Sequence, residues 1–223
     1  MRDERDEQFD FVEDDNLILI NPDHDGGIRT AVRVWIEDPA AAKAKYGPIA
    51  SWDTSGITDM YMLFYGREHF NEDISRWNVS NVVNMNSTFY GAASFNGDLS
   101  GWDVGQVGYM GYMFMGATSF NGDLSSWEVG QVKSMHHTFY GATSFTGDLS
   151  RWEVGQVQDM HSMFHGATSF NGDLSGWEVG QVKSMTFMFH GATSFTHQLG
   201  GAWSTSTTNQ SYMFGGGCPG SIA

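Results

Sequence analysis

Large apolar residues recur through most of the chain at an unbroken step of 25. Phe70, Phe95, Phe120, Phe145, Phe170 and Phe195 form one column. Trp52 to Trp177, Met60 to Met185, Phe64 to Phe214 and Gly66 to Gly191 keep the same step. A period of this length marks a repeat array in which each unit packs on its neighbours. Trp203 arrives one residue late, after Gly200-Gly201-Ala202, yet Phe214 is back in register, so stacking and not local sequence sets the frame. A unit such as residues 95–119 offers Phe95, Leu99, Trp102, Val104, Val107, Met110 and Phe114 for burial. Alone it loses more in backbone entropy than it gains by burying them, so it is stable only in a stack.

Within a unit, "LSGWDVGQV" sets Trp102 and Val104 two apart, the strand period, and predicts a short parallel strand. Val107, Met110, Met113 and Phe114 follow at helical spacing, with Gly116 placed as a left-handed C-cap, and predict a short helix. "FNGD" reads as a turn, Asn-Gly supplying positive φ and Asp98 a side-chain bond to the backbone. All four prolines, Pro22, Pro39, Pro48 and Pro219, lie outside 52–214, as an array laced by backbone hydrogen bonds requires. The single cysteine, Cys218, excludes an intrachain disulfide framework and a Cys-based zinc site.

The spacing L-x-x-W-x-V-x-x-V matches the leucine-rich-repeat pattern with Trp and Val in place of two leucines and without the Asn ladder. "FNGDLSGWDVGQVGYMGYMFMGATSF" and "FNEDISRWNVSNVVNMNSTF" resemble the BspA-like leucine-rich-repeat family, in the 25-residue variant common in mycoplasma surface lipoproteins and protist gene families. The resemblance covers roughly residues 51–214, and the lead-in "TAVRVWIEDPAAAKAKYGPIASWDTSGITDM" is similar to the N-terminal caps of such arrays. It implies an α/β fold, a right-handed leucine-rich-repeat-like solenoid with a parallel β-sheet on one face and short helices on the other. It also implies a protein used for binding, adhesion or surface display.

The expected organisation is an acidic extension over residues 1–27, a helical cap over 28–50, six to seven repeats over 51–214 and a tail over 215–223. The extension holds ten of the 26 acidic residues and two of the 11 basic ones, so it carries −8 of the formal net charge of −15. It reads as a solvated arm or as one that meets a basic partner. The middle of "FDFVEDDNLILINP" is apolar enough to pair with the first strand. In the cap, Val32, Trp35 and Ile36 share a helix face that shields the first repeat. No secretory signal opens the chain and no run suffices to span a bilayer, whereas the resemblance points to the cell surface.

Stacking turns each repeat position into a column, so chemistry is sought in columns. Asp53, Asn78, Asp103, Glu128, Glu153 and Glu178 lie between inward Trp and Val and form an acidic stripe on the expected concave sheet. The stripe is a solvated face, or it binds cations or a basic partner. Gln106, Gln131, Gln156 and Gln181 flank it as an amide ladder. Asp73, Asp98, Asp123, Asp148 and Asp173 close turns, with a calcium site as the alternative. Tyr65, Tyr90, Met115, Tyr140, His165 and His190 form a convex ridge suited to a protein partner. His136, His161, His165 and His190 fall in two adjacent columns, a spacing that suits a divalent metal such as zinc. The column pairs from Thr118-Ser119 to Thr193-Ser194 read as hydrogen-bonded turns, with ice binding as the alternative.

Catalysis needs a few unlike groups in one pocket. Here nearly every polar group is repeated, and no P-loop, dinucleotide fingerprint or nucleophile elbow occurs. The expectation is a non-catalytic protein without an obligatory cofactor. The acidic balance disfavours nucleic acid as a partner and leaves a protein or glycan. The alternative is a structural spacer or coat component that takes no specific ligand.

Overall fold

The computed structural model describes residues 25–223. Of the acidic extension expected over residues 1–27, residues 1–24 lie outside the described residues and 25–27 belong to the first helix. Helix α1 (Asp25–Glu37) and helix α2 (Pro39–Tyr46) open the described chain, followed by a 3-10 turn (Ile49–Ser51). Asp38 caps α2 by accepting from the Ala41 N–H at 2.9 Å, Pro39 stands in the first turn, and Gly47 at φ 77° ends the helix. Val32 and Trp35 of α1 are buried and Ile36 is partly buried against the core, so the expected cap face packs as read. Trp35 meets Trp52 edge-on at 5.7 Å, and Tyr46 meets it at 6.0 Å.

From Trp52 onward each unit hydrogen-bonds to the next at a step of 25. Parallel bridges join Asp59 to Asn84, Asn84 to Tyr109, and so on to Asn209. At each of six junctions four N–H groups of one unit reach carbonyls of the next, at 2.7–3.2 Å. In one unit these run from Met110, Tyr112, Phe114 and Gly116 to Ser134, His136, Thr138 and Tyr140. The N–H groups between them, of Met113, Met115 and Ala117, turn back to the carbonyls three residues earlier. This alternation requires Tyr112 to sit at φ 59°, and Met62, Ser87, His137, Ser162, Phe187 and Tyr212 do the same in their units. The glycine column follows at φ 65–69° over Gly66 to Gly166, where a missing Cβ makes the conformation cheap.

This arrangement differs from the expected one. The residues read as helix, 107–114, form no helix; they are the hydrogen-bonded ribbon itself. Residues 102–104, read as strand, lie outside the ladder. A left-handed residue at 112 breaks helical continuity, and its N–H gains a partner on the neighbouring unit that a lone helix lacks. Nor does Asn-Gly at 96–97 adopt positive φ. Gly97 gives the Phe95 ring room, since a Cβ there would stand 3.0 Å from it, and Gly122, Gly147 and Gly172 repeat the contact, while the outer units carry Glu72 and His197 in this column.

Two aromatic stacks fill the interior. Rings from Phe64 to Phe214 stack at 5.3–5.5 Å, and those from Phe70 to Phe195 at 5.9–6.0 Å. Beside these stacks, which touch each other at 4.1–4.3 Å, the indoles tie unit to unit. Trp127 Nε1 donates to the Leu99 carbonyl at 3.0 Å, while that same oxygen accepts from the Trp102 backbone N–H at 3.1 Å. Trp77, Trp102, Trp152 and Trp177 repeat the indole bond. Ile49 of the 3-10 turn supplies the first acceptor, so the cap imitates a unit. The late Trp203 still reaches Leu174 at 3.0 Å, because Gly201 and the short helix α3 (Ala202–Thr205) absorb the insertion. Strand β1 (Gln198–Leu199) pairs in parallel with β2 (Ser221–Ile222), which closes part of the far end.

Packing on both sides of a ring makes its loss expensive. Phe139→Ala is expected to lower unfolding free energy by about 3–5 kcal/mol. Phe214→Ala, whose ring is only partly buried, is expected to cost less than half as much. Urea denaturation of the two variants checks the ordering, and equal losses would refute it.

Candidate interaction face

Across a unit the sequence is either uniform or variable, and the structure separates the two. Residues 95–107, 120–132, 145–157 and 170–182 are nearly identical. Their polar side chains serve the unit itself. Asp98 Oδ1 accepts from the Ser100 N–H at 2.9 Å and from its hydroxyl at 2.7 Å, and Asp73 and Ser75 do the same. Asp123, Asp148 and Asp173 accept from the matching backbone N–H. The serine hydroxyl and backbone N–H hold Asp73 and Asp98 below the ordinary carboxylate range, and serine lowers Asp123, Asp148 and Asp173 likewise. These aspartates are turn residues. Thr118 and Thr143 hydroxyls donate to carbonyls of the preceding unit at 3.3 Å, a further longitudinal tie.

The acidic column, Asp53, Asp103, Glu128, Glu153 and Glu178, is exposed as expected. It stands on the loop between Trp and Val and not on the parallel ladder, which corrects the reading of a concave acidic sheet. Asp53 and Asp103 accept from the N–H two residues on. In the flanking amide column Gln156 accepts from Lys133 Nζ at 2.9 Å.

The variable residues, 58–66 and their equivalents, all lie on the ladder ribbon. Every exposed large hydrophobic residue among the described ones is there: Tyr61, Tyr65 (42% exposed), Val83, Tyr109 (52%) and Tyr212 (70%). The ridge column belongs to the same ribbon, so it shares a segment with the ladder and does not oppose it. Tyr65 stacks on Tyr90 at 4.6 Å, and Tyr140 on His165 at 4.5 Å with His190 next at 5.0 Å. A second row adds Tyr112 on His137 at 4.7 Å and Phe187 on Tyr212 at 5.1 Å. Tyr61, Tyr109, Tyr112, Val83 and His137 were not singled out by the sequence reading. The available signal was that their columns change letter from unit to unit while the neighbouring Met, Phe and Gly columns do not.

The histidines do not assemble as a metal site. Among the described residues no three His, Cys, Asp or Glu side chains converge to hold an ion. His165 and His190 stack face to face at 5.0 Å, while His136 and His161 are held apart from them by aromatic packing and hydroxyl partners. His136 lies in the space left by Gly111, against Tyr112 at 4.5 Å, with Nδ1 bonded to the Ser134 hydroxyl. His161 Nδ1 bonds to the Thr186 hydroxyl and the ring packs on His137 at 5.0 Å. His165 stacks between Tyr140 and His190. Burial lowers His137 to about 4, reinforced by the charges His161 and His136 would carry and opposed by Asp159. Burial also lowers His136 and His165.

Two expectations follow from this chemistry. A histidine whose folded pKa lies below its unfolded value gives full stability above about 6.5 and surrenders it as the pH falls toward about 4, because only the unfolded chain takes up the proton. The melting temperature should therefore drop through that window. His137→Ser, a residue already found in this column at Ser87 and Ser162, should flatten the drop. A pH series of melts on both proteins checks this. Millimolar calcium or zinc should leave the melting temperature unchanged, since no ligand set converges.

No curated protein and no solved structure matches this chain significantly. The model of one protein family, described as Mycoplasma protein of unknown function, DUF285, matches residues 38–151 and again 123–218. The two matches together run from the α2 cap through every repeat. The chain therefore belongs to the DUF285 family.

Proposed function

We propose that this protein is a non-catalytic, BspA-like repeat solenoid that binds a protein partner at a cell surface through its ladder ribbon. One observation carries the reading. Among the described residues all the exposed large hydrophobic side chains and most unit-to-unit variation fall on that ribbon, while the remaining surface of the repeats is nearly uniform, apart from the column of Arg76, Gly101, Ser126, Arg151 and Gly176. A spacer or coat component gains nothing from confining variation to one face, whereas recognition needs variation held on a rigid support. Exposed tyrosines are frequent interface anchors, since they bury large area at small entropic cost.

Protein is favoured over glycan by ring geometry. Tyr90, Tyr140 and His165 have ring faces covered by their neighbours in the stack. A sugar packs on an open aromatic face, whereas covered rows present edges and hydroxyls that suit a polypeptide. The acidic balance remains adverse to nucleic acid. No helix among the described residues is long and apolar enough to cross a membrane.

Labelled full-length chain on intact cells tests the reading by flow cytometry. Tyr65→Ser with Tyr109→Ser should cut binding about tenfold, the loss of roughly 1.4 kcal/mol of anchoring. Glu128→Gln with Glu153→Gln should bind like the parent, and protease treatment of the cells should abolish binding where glycosidase treatment does not. Equal binding by parent and tyrosine variant, or none by the parent, would overturn the proposal in favour of a spacer.

A further inference from the structure

Five of the eight histidines, His136, His137, His161, His165 and His190, lie in the ribbon of three successive inner units. One carboxylate, Asp159, shares that stretch of ribbon, and its two lysines turn away, Lys133 to Gln156 and Lys183 to Gln158. The rings are close: His137 stands 5.0 Å from His161 and 5.8 Å from His136, and His165 stands 5.0 Å from His190. The preceding unit makes room for them. Gly111 shares its column with Tyr61, Asn86, His136, His161, Thr186 and Ser211, and a Cβ on it would collide with the His136 ring. Charging these rings conflicts with how they are packed. Nδ1 of His137, His165 and His190 is buried and finds no hydrogen-bond partner among the described residues. A neutral imidazole meets this by carrying its proton on Nε2 and leaving Nδ1 bare. An imidazolium bears an N–H on both nitrogens, so it would bury an unanswered donor with another imidazole 5.0 Å away. Facing His137 are Tyr112 from the unit before, His136 and Tyr140 from its own, and Asp159, His161 and His165 from the unit after. Of these only Asp159 favours the charged form, and its Oδ1 already accepts from the His161 N–H at 2.9 Å. Facing His165 are Tyr140, His161 and His190, none of them a carboxylate.

We propose that this patch is an acid-operated release device for the ribbon: below neutrality the rings of His137 and His165 leave their stacks and a bound partner is let go. The inference rests on the reading of the ribbon as the binding face and adds its regulation. Ring position and binding face are linked, because His137 supports Tyr112 and His165 supports Tyr140. A ring that leaves frees its tyrosine and brings a positive charge to the face. A partner seated on the patch strips water from it and so opposes the imidazolium further. The closed, neutral patch is therefore the one that binds. Burial holds the stacked His137 at about 4, whereas an opened ring returns toward 6.5. The face is thus intact above about 6.5 and opens as the pH falls toward about 4.

Labelled full chain on intact cells gives the first readout. Binding should fall about tenfold from about pH 7.5 to about pH 5 and return on neutralisation. His137→Ser with His165→Tyr uses residues already present in those columns at Ser87 and Tyr90. Whatever its affinity at the higher pH, this variant should lose about twofold or less on the same acidification. Proton NMR gives the second readout without any partner. Ring contacts of His137 with Tyr112 and of His165 with Tyr140 should vanish over the same pH range, while those of Phe139 with Phe164 persist. Equal pH ratios for parent and variant, stacks that survive at about pH 5, or loss of the phenylalanine contacts together with the stacks would each overturn the proposal. No binding by the parent at about pH 7.5 would sink the ribbon reading itself, and the release role with it.

Discussion

Everything in this fold hangs on contacts made to a residue 24 to 28 places away. The leucine-column carbonyl shows the principle at its smallest. One lone pair of Leu99 closes the turn of its own unit through the Trp102 N–H, and the other receives the indole of Trp127 from the next. A unit thus completes its neighbour's hydrogen bonding while stacking phenyl on phenyl. Neither half of that arrangement exists for a unit alone, and so the array is cooperative along its length.

The ladder adds a direction to this cooperation. In ordinary sheets strand dipoles largely cancel. Here the N–H groups of residues 110, 112, 114 and 116 and their equivalents aim one way, against a single bond per junction that runs back from the Gly108 column, and this needs a left-handed residue in every unit; the chain accepts tyrosine, histidine, phenylalanine, methionine or serine there. The cost of that backbone is of order 1–2 kcal/mol for a non-glycine residue and is met by the junction bonds it permits. At the first unit a guanidinium suits the outward carbonyls.

The same geometry explains where variation is tolerated. In the ribbon, Met110 and Phe114 point inward and are fully buried, whereas Tyr109 points out and its backbone alone makes the bridge. Backbone hydrogen bonds do not depend on the side chain, so positions 108, 109, 111, 112 and 115 are free to change. Positions 98, 100 and 102 are not, because Asp98, Ser100 and Trp102 bond through their side chains. Recognition chemistry has accumulated on the segment whose structure is indifferent to it.

Much of this was legible in the letters. The 25-residue step, the buried Phe, Trp, Met and Val columns, the compensated insertion before Trp203, the inward face of Val32 and Trp35 and the Asp98 turn bond follow from composition and spacing, because burial and turn bonding are properties of a residue and its near neighbours. The placement of the ladder was not. Val107, Met110, Met113 and Phe114 keep the same inward face in a helix and in the ribbon, so periodicity cannot choose between them. The choice belongs to the N–H groups of Tyr112 and Phe114, whose best acceptors, His136 and Thr138, come near only when the units stack. That step moved the histidines off a helix and out of a metal site, and it moved the aromatic ridge onto the ladder itself. Sequence alone determined what is buried and how often it repeats; the tertiary structure decided which backbone groups meet, because hydrogen-bond partners in this protein are chosen across units and not within them.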